Sequence, residues 1–251
     1  LGAGGVQEEG DALLTFLPED TDLARVRDAV ARAGGRAMLE RTALGEVDWS
    51  GQWAPRVKAH RVGRVAIAPP WLAADVADAE HVVIVEPAMA FGTGEHPTTR
   101  GVVWLMQAVV RPGDAVADLG AGSAVLSIVA AKLGATRVFA IEMDGDAIGN
   151  AEENVRRNDV AERIRVLHGE ASTLLQLVAP VRVILANIIS TVLVELLPSM
   201  RGALAPDGCA IVSGILQEER AAFLEALARR RWASVADEGE GDWWSTAIVP
   251  R

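Results

Sequence analysis

Val116-Ala117-Asp118-Leu119-Gly120-Ala121-Gly122-Ser123 is an apolar run that ends in two closely spaced glycines, immediately before a second apolar stretch from Ala124 to Leu133. That order predicts a strand, a tight turn and a helix. Glycine permits the turn and leaves room for a ligand against the backbone, while free amides at a helix start attract an anionic group. A nucleotide or nucleoside-like ligand is implied, although a lone Gly-x-Gly describes a plain βα turn equally well.

Two observations sharpen the reading. A dinucleotide fingerprint needs a third glycine for close helix–strand packing, but Val125 stands at that position, which disfavours NAD. Glu142 then falls 22 positions after Gly120, at the end of the next expected strand, where a carboxylate can accept hydrogen bonds from both ribose hydroxyls. Asp118, Gly120, Gly122 and Glu142 together point to S-adenosylmethionine.

Downstream of this turn, apolar strands and amphipathic helices alternate. Strands are expected at Ala115 to Asp118, Arg137 to Ile141, Ile164 to His168, Val181 to Ala186 and Cys209 to Ser213. Helices are expected at Ala124 to Leu133, Asp146 to Arg157, Thr191 to Leu204 and Gln217 to Arg230. Such alternation implies right-handed βαβ units and a doubly wound, mostly parallel, Rossmann-like sheet. Ser234 to Asp237 and Trp244 to Val249 flank a Glu-Gly-Glu-Gly-Asp turn, so the sheet should finish in an antiparallel C-terminal hairpin.

Upstream, Phe91-Gly92-Thr93-Gly94-Glu95-His96-Pro97-Thr98-Thr99 is rich in glycine and hydroxyl groups and reads as a loop folding over a ligand. Thr98 or Thr99 could equally cap a helix at Gly101 to Val110. Strands are expected at Val62 to Ala68 and Val82 to Val85. Residues 48–61, with Trp49 and Trp53 one turn apart, read as a polar linking helix over Asp48 to His60. Residues 1–47 read as a small, partial α+β unit of about one ferredoxin-like half: a strand at Gly10 to Leu17, a cap supplied by Glu19 to Thr21, a helix at Asp22 to Ala33 and a strand at Arg36 to Leu44. Leu23, Val26, Ala29 and Val30 form that helix's buried face. The catalytic domain is then residues 62–251.

One polar residue interrupts the apolar string Leu185-Ala186-Asn187-Ile188-Ile189 at the end of the fourth parallel strand, at the switch point where such sheets bind ligands. The carbonyl oxygen of Asn187 can accept a proton from an amine and steer the nitrogen lone pair toward a methyl group, making it the candidate catalytic residue. Its plain alternative is a cap for the following helix.

Composition bounds the partners. Half of the 251 residues are hydrophobic and the net charge is −10. An acidic chain suits a basic protein partner and not direct nucleic-acid binding, which needs a cationic face. No apolar run nears the ~20 residues that span a bilayer and no leader opens the chain, so a cytoplasmic setting without membrane contact is expected. The single cysteine, Cys209, sits in an apolar run and reads as core. No metal site is expected.

The strings EPAMAFGTGEHPTTR, DLGAGSAVLSIVAAKLGA, ANII and VSGIL, in this order, resemble the ribosomal protein L11 methyltransferase family (PrmA) from about Trp49 to the C-terminus. The resemblance implies a class I methyltransferase domain joined by a helical linker to an N-terminal substrate-recognition domain, which here begins part-way through the family pattern. It places cofactor contacts on Thr99, Gly120, Glu142 and Asn187, with Phe91, Gly92, Thr93 and Gly94 lining the pocket. Glu142 replaces the family's usual aspartate, and Ala124 its usual glycine. The implied activity is methylation of amino groups, on lysine side chains or the N-terminal amine, of a large-subunit ribosomal protein. Rival readings are a class I methyltransferase acting on another protein lysine or a small amine, and a cofactor-binding protein without turnover.

Overall fold

The computed structural model describes residues 6–9, 12–15, 21–32, 38, 57–87 and 92–251. Two compact units divide the chain, Leu1–Trp49 and Ser50–Arg251. In the first, strands β1 (Val6–Glu9) and β2 (Ala12–Thr15) pair antiparallel ahead of helix α1 (Leu23–Arg32). β1 is absent from the sequence reading because Val-Gln-Glu-Glu offers one apolar residue and no alternation. Asp22 caps α1, its Oδ1 accepting from Ala24 N at 2.8 Å, while residues 19 and 20 of the expected cap lie outside the described residues. Val26, Ala29 and Val30 are half-buried while Leu23 is exposed, so the expected apolar face is only partly covered. The expected strand at Arg36 to Leu44, apart from the exposed Met38, and the linking helix through residue 56 lie outside the described residues. Residues 57–59 are not helical and His60 begins a strand; Val57 is buried and Lys58 N donates to Glu95 Oε1 at 3.3 Å, which ties this segment down.

The second unit opens with a three-stranded sheet of β3 (His60–Val62), β4 (Val65–Ala68) and β5 (His81–Ile84). The single strand expected at Val62 to Ala68 is instead a hairpin, since Gly63 adopts φ +57° and reverses the chain. After helix α2 (Pro97–Val109) come β6 (Ala115–Leu119), α3 (Val125–Lys132), β7 (Arg137–Glu142), α4 (Gly145–Arg157), β8 (Ile164–His168), α5 (Ala171–Val178), β9 (Val181–Asn187), α6 (Ser190–Ala203), β10 (Leu204–Leu216), α7 (Arg220–Arg229), β11 (Trp232–Glu240) and β12 (Trp243–Pro250). The main sheet has seven strands in the order β11-β12-β10-β9-β6-β7-β8. β6 to β10 run parallel and β12 runs antiparallel between β10 and β11. The doubly wound sheet and its closing hairpin are therefore as the sequence predicts.

Alternate residues of each central strand feed two cores, as a period-2 strand covered on both faces requires. Val116, Val138, Val183 and Ile211 pack with Val102, Met106, Ile128 and Val155 on one face. Ala117, Leu119, Ile184 and Ala186 pack with Leu175, Leu193, Leu197 and Phe223 on the other. Cys209 is buried and unpaired. Among the described residues no helix is long and apolar enough to cross a membrane.

Candidate active site

The parallel strands end together. Leu119 is in register with Ile141 on one side and Ala186 on the other, Glu142 with His168, and Asn187 with Ser213. β6 and β9 are neighbours, and the chain winds outward from β6 in one direction through β7 and β8 before returning to β9. The glycine turn and Asn187 thus sit on either side of the switch point where open α/β sheets bind ligands.

The glycine turn is fixed by its own backbone. Gly120 N and Ala121 N both donate to Ile141 O, at 2.9 and 3.1 Å. Gly120 holds φ +69°, and a Cβ there would lie 2.7 Å from Ile188 Cγ2, so a side chain is excluded by conformation and by space. Ala124 occupies the left-handed region at φ +63°, a conformation that glycine adopts without the strain a Cβ brings. Ala124 stands before α3, which begins one residue later than expected.

Glu142 closes the turn. Its Oε2 accepts from Gly122 N at 2.8 Å, and Oε1 accepts from Met143 N at 2.8 Å and Asp144 N at 2.9 Å. Three amides therefore hold the carboxylate at one place beside the glycine turn. Asp118 is buried and accepts from Ser127 Oγ at 2.7 Å through Oδ2, while Oδ1 has no partner. Burial pushes its pKa up to about 7, against the lowering effect of the Ser127 bond, and nearby Glu142 adds to the rise.

The loop before α2 approaches the turn from the other side. Ser123 Oγ donates to Gly92 O at 2.9 Å. Thr93 is half-buried and Gly94 buried, whereas Phe91 lies outside the described residues. Neither threonine is the cap of α2: Pro97 takes the first helical position, so the cap moves back to His96, whose Nδ1 accepts from Thr98 N at 3.4 Å. Burial, and then Arg100, hold the His96 imidazole below its usual pKa, in the neutral form that can accept. Thr99 is completely buried, and its Oγ1 accepts from Asn187 Nδ2 at 3.4 Å. Asn187 is not a cap either, since Ile189 occupies that position ahead of α6. Behind it, Gly214 at φ +85° lies so close to the Asn187 loop that a Cβ would meet Ile188 O at 2.4 Å.

Several residues that support this arrangement are absent from the sequence reading. Asn154 Nδ2 donates to Ser123 O at 3.1 Å and its Oδ1 accepts from Glu86 N at 2.9 Å. Asn158 Oδ1 accepts from Ile84 N at 2.8 Å. The available signal was a pair of asparagines four apart on the buried face of an amphipathic helix, beside Ala147, Ala151 and Val155. Such groups are buried only when they have partners.

The family model described as ribosomal protein L11 methyltransferase (PrmA) matches residues 5–250. The chain belongs to this family. Named ribosomal protein L11 methyltransferases from Chloroflexus aurantiacus and Enterococcus faecalis are 34% and 33% identical to it, over 95% and 96% of this chain and 81% and 80% of theirs. The crystal structure of ribosomal protein L11 methylase from Lactobacillus delbrueckii subsp. bulgaricus superposes with a TM-score of 0.67 at 29% identity, covering 78% of this chain and 100% of that one.

Proposed function

We propose that this PrmA-family chain transfers methyl groups from S-adenosylmethionine to amino groups of ribosomal protein L11, on lysine side chains or the N-terminal amine. The observation that carries the reading is the meeting of a fixed carboxylate, Glu142, an exposed glycine turn at Gly120, and the Asn187–Thr99 pair at adjacent strand ends.

The residues suit that cofactor. After its three backbone bonds are made, Glu142 keeps one lone-pair site, on Oε2, to accept a ribose hydroxyl. Gly120 lets a ligand approach the backbone, and Asp118 Oδ1 is a buried acceptor still lacking a donor. Gly122, Gly92, Thr93 and Gly94 complete the proposed pocket. Once bound, S-adenosylmethionine supplies a methyl group already activated on a sulfonium.

What remains for the protein is alignment. Asn187 donates through Nδ2 to Thr99, which leaves Oδ1 to accept a proton of the incoming neutral amine and orient its lone pair. Thr99, buried at the start of α2, fixes the amide plane. The acidic chain favours a basic acceptor protein electrostatically. Incubation with labelled S-adenosylmethionine and ribosomal protein L11, followed by mass spectrometry of the digest, should place methyl groups on amino nitrogens. Label on carboxylates or side-chain amides, or no label, would overturn the proposal.

A further inference from the structure

The loop over the site is held from outside it. Arg100, one residue beyond Thr99, donates through Nε to both carboxylate oxygens of Glu240, at 3.2 and 3.0 Å, and through Nη2 to Oε1 at 2.5 Å. Glu240 is the last residue of β11, at the hairpin turn. The remaining guanidinium nitrogen, Nη1, points the other way and donates to the carbonyls of Gly94, at 3.2 Å, and Glu95. A second link lies beside the first: the His96 ring meets Trp243, the first residue of β12, edge to face with centroids 4.8 Å apart. Beneath them Ser245 of β12 shares a 2.7 Å bond with Ser213 of β10, so the hairpin that supplies Glu240 and Trp243 is anchored to the sheet.

We infer that Glu240 is a positioning residue for cofactor capture, acting through Arg100 to hold the loop from Gly92 to His96 over the end of β6. Arg100 cannot serve two carbonyls and stay in place unless its charge and remaining donors are satisfied, and Glu240 does both. Arg100 in turn keeps the Glu240 carboxyl below the usual carboxylate range. Without Glu240 the guanidinium is free to turn to solvent, the loop samples open arrangements, and apparent affinity falls by the fraction of time the loop is closed. Chemistry after closure is unaffected, because Asn187 and Thr99 do not touch Glu240.

This inference rests on the proposed S-adenosylmethionine site, and the test separates the two. The full chain and its Glu240→Gln variant are titrated with S-adenosylhomocysteine and assayed with ribosomal protein L11. Glu240→Gln should raise Kd for S-adenosylhomocysteine and KM for S-adenosylmethionine together, by roughly fivefold for a partly exposed bidentate pair, while kcat stays within about twofold. Raising salt to about 0.5 M should weaken binding to the native chain more than to the variant, because only the native chain has the pair to screen. Equal affinities, a loss confined to kcat, or identical salt dependence would overturn the clasp while leaving the cofactor site intact. A native chain that binds no S-adenosylhomocysteine would remove both.

Discussion

Glu142, Asn187 and Asp118 show how far single side chains carry the chemistry. Replacing Glu142 by alanine removes the proposed ribose acceptor and unhooks the amides of Gly122, Met143 and Asp144. Affinity for S-adenosylhomocysteine should fall by about 1.5–3 kcal/mol, the range for hydrogen bonds to a charged group; an unchanged calorimetric Kd would mean the ribose binds elsewhere. Asn187→Ala should act differently, lowering kcat by a larger factor than it raises Kd for S-adenosylhomocysteine, since its contact to the amine matters most in the aligned transition state. Equal losses would make Asn187 a cofactor ligand only. Asp118 is visible in the pH dependence of stability. Its folded pKa of about 7 lies above the ordinary aspartate value of 3.8, so between those values the folded state holds a proton that the unfolded chain has released. Stability from this group is complete below about pH 4 and lost as pH rises through 7, with a slope approaching about 1.4 kcal/mol per pH unit. Urea unfolding of the native chain and of Asp118→Asn across that range should show the slope in the first only, and parallel curves would sink the assignment.

At the scale of elements, α6 carries the clearest local conflict. Pro198 lies inside this helix and is exposed, so it removes the N–H that would bond to Val194 O and contributes no core packing. Pro198→Ala should stabilise the chain by about 2–2.5 kcal/mol, the helix-interior penalty of proline less the entropy it removes from the unfolded state; a lower midpoint in urea would show that the helix depends on the break. The same competition between local signals explains what sequence could and could not reveal. The parallel strands and the helices between them were legible because two-sided burial writes continuous apolar runs. The glycine turn, Glu142 and Asn187 were legible because polar groups at the ends of such runs stand out. Helix α5 was not, because its cap is Glu170, whose carboxylate accepts from Ser172 N and Thr173 N at 3.0 and 2.9 Å, and glutamate is outside the usual capping set. Gly-Glu-Ala-Ser-Thr therefore reads as loop. The cap of α2 was misassigned because Pro97 starts the helix four residues ahead of the expected Gly101. The Arg100–Glu240 pair spans 140 positions, a separation at which a lone sequence carries no pairing signal.

For the whole molecule, the question is what the two units contribute. All three hydrophobic clusters among the described residues lie at or beyond residue 57, and so does every described residue of the proposed cofactor pocket. Under the proposed function, Ser50–Arg251 should therefore fold and bind S-adenosylmethionine without the first unit. We propose, from the family resemblance, that the first unit recognises the acceptor protein. Recognition of that kind adds orientation, which counts heavily when alignment is most of the catalysis. A chain beginning at Ser50 should unfold cooperatively and bind S-adenosylhomocysteine with a Kd within about twofold of the full chain, because no cofactor contact is lost. Methyl incorporation into ribosomal protein L11 should fall steeply at the same enzyme concentration, while a small primary amine supplied at high concentration is methylated at the same slow rate by both chains. That last comparison isolates acceptor recognition from chemistry, since the small amine makes no use of the first unit. Equal methylation of the ribosomal protein by the truncated chain would place recognition in Ser50–Arg251 and leave the first unit without the assigned role.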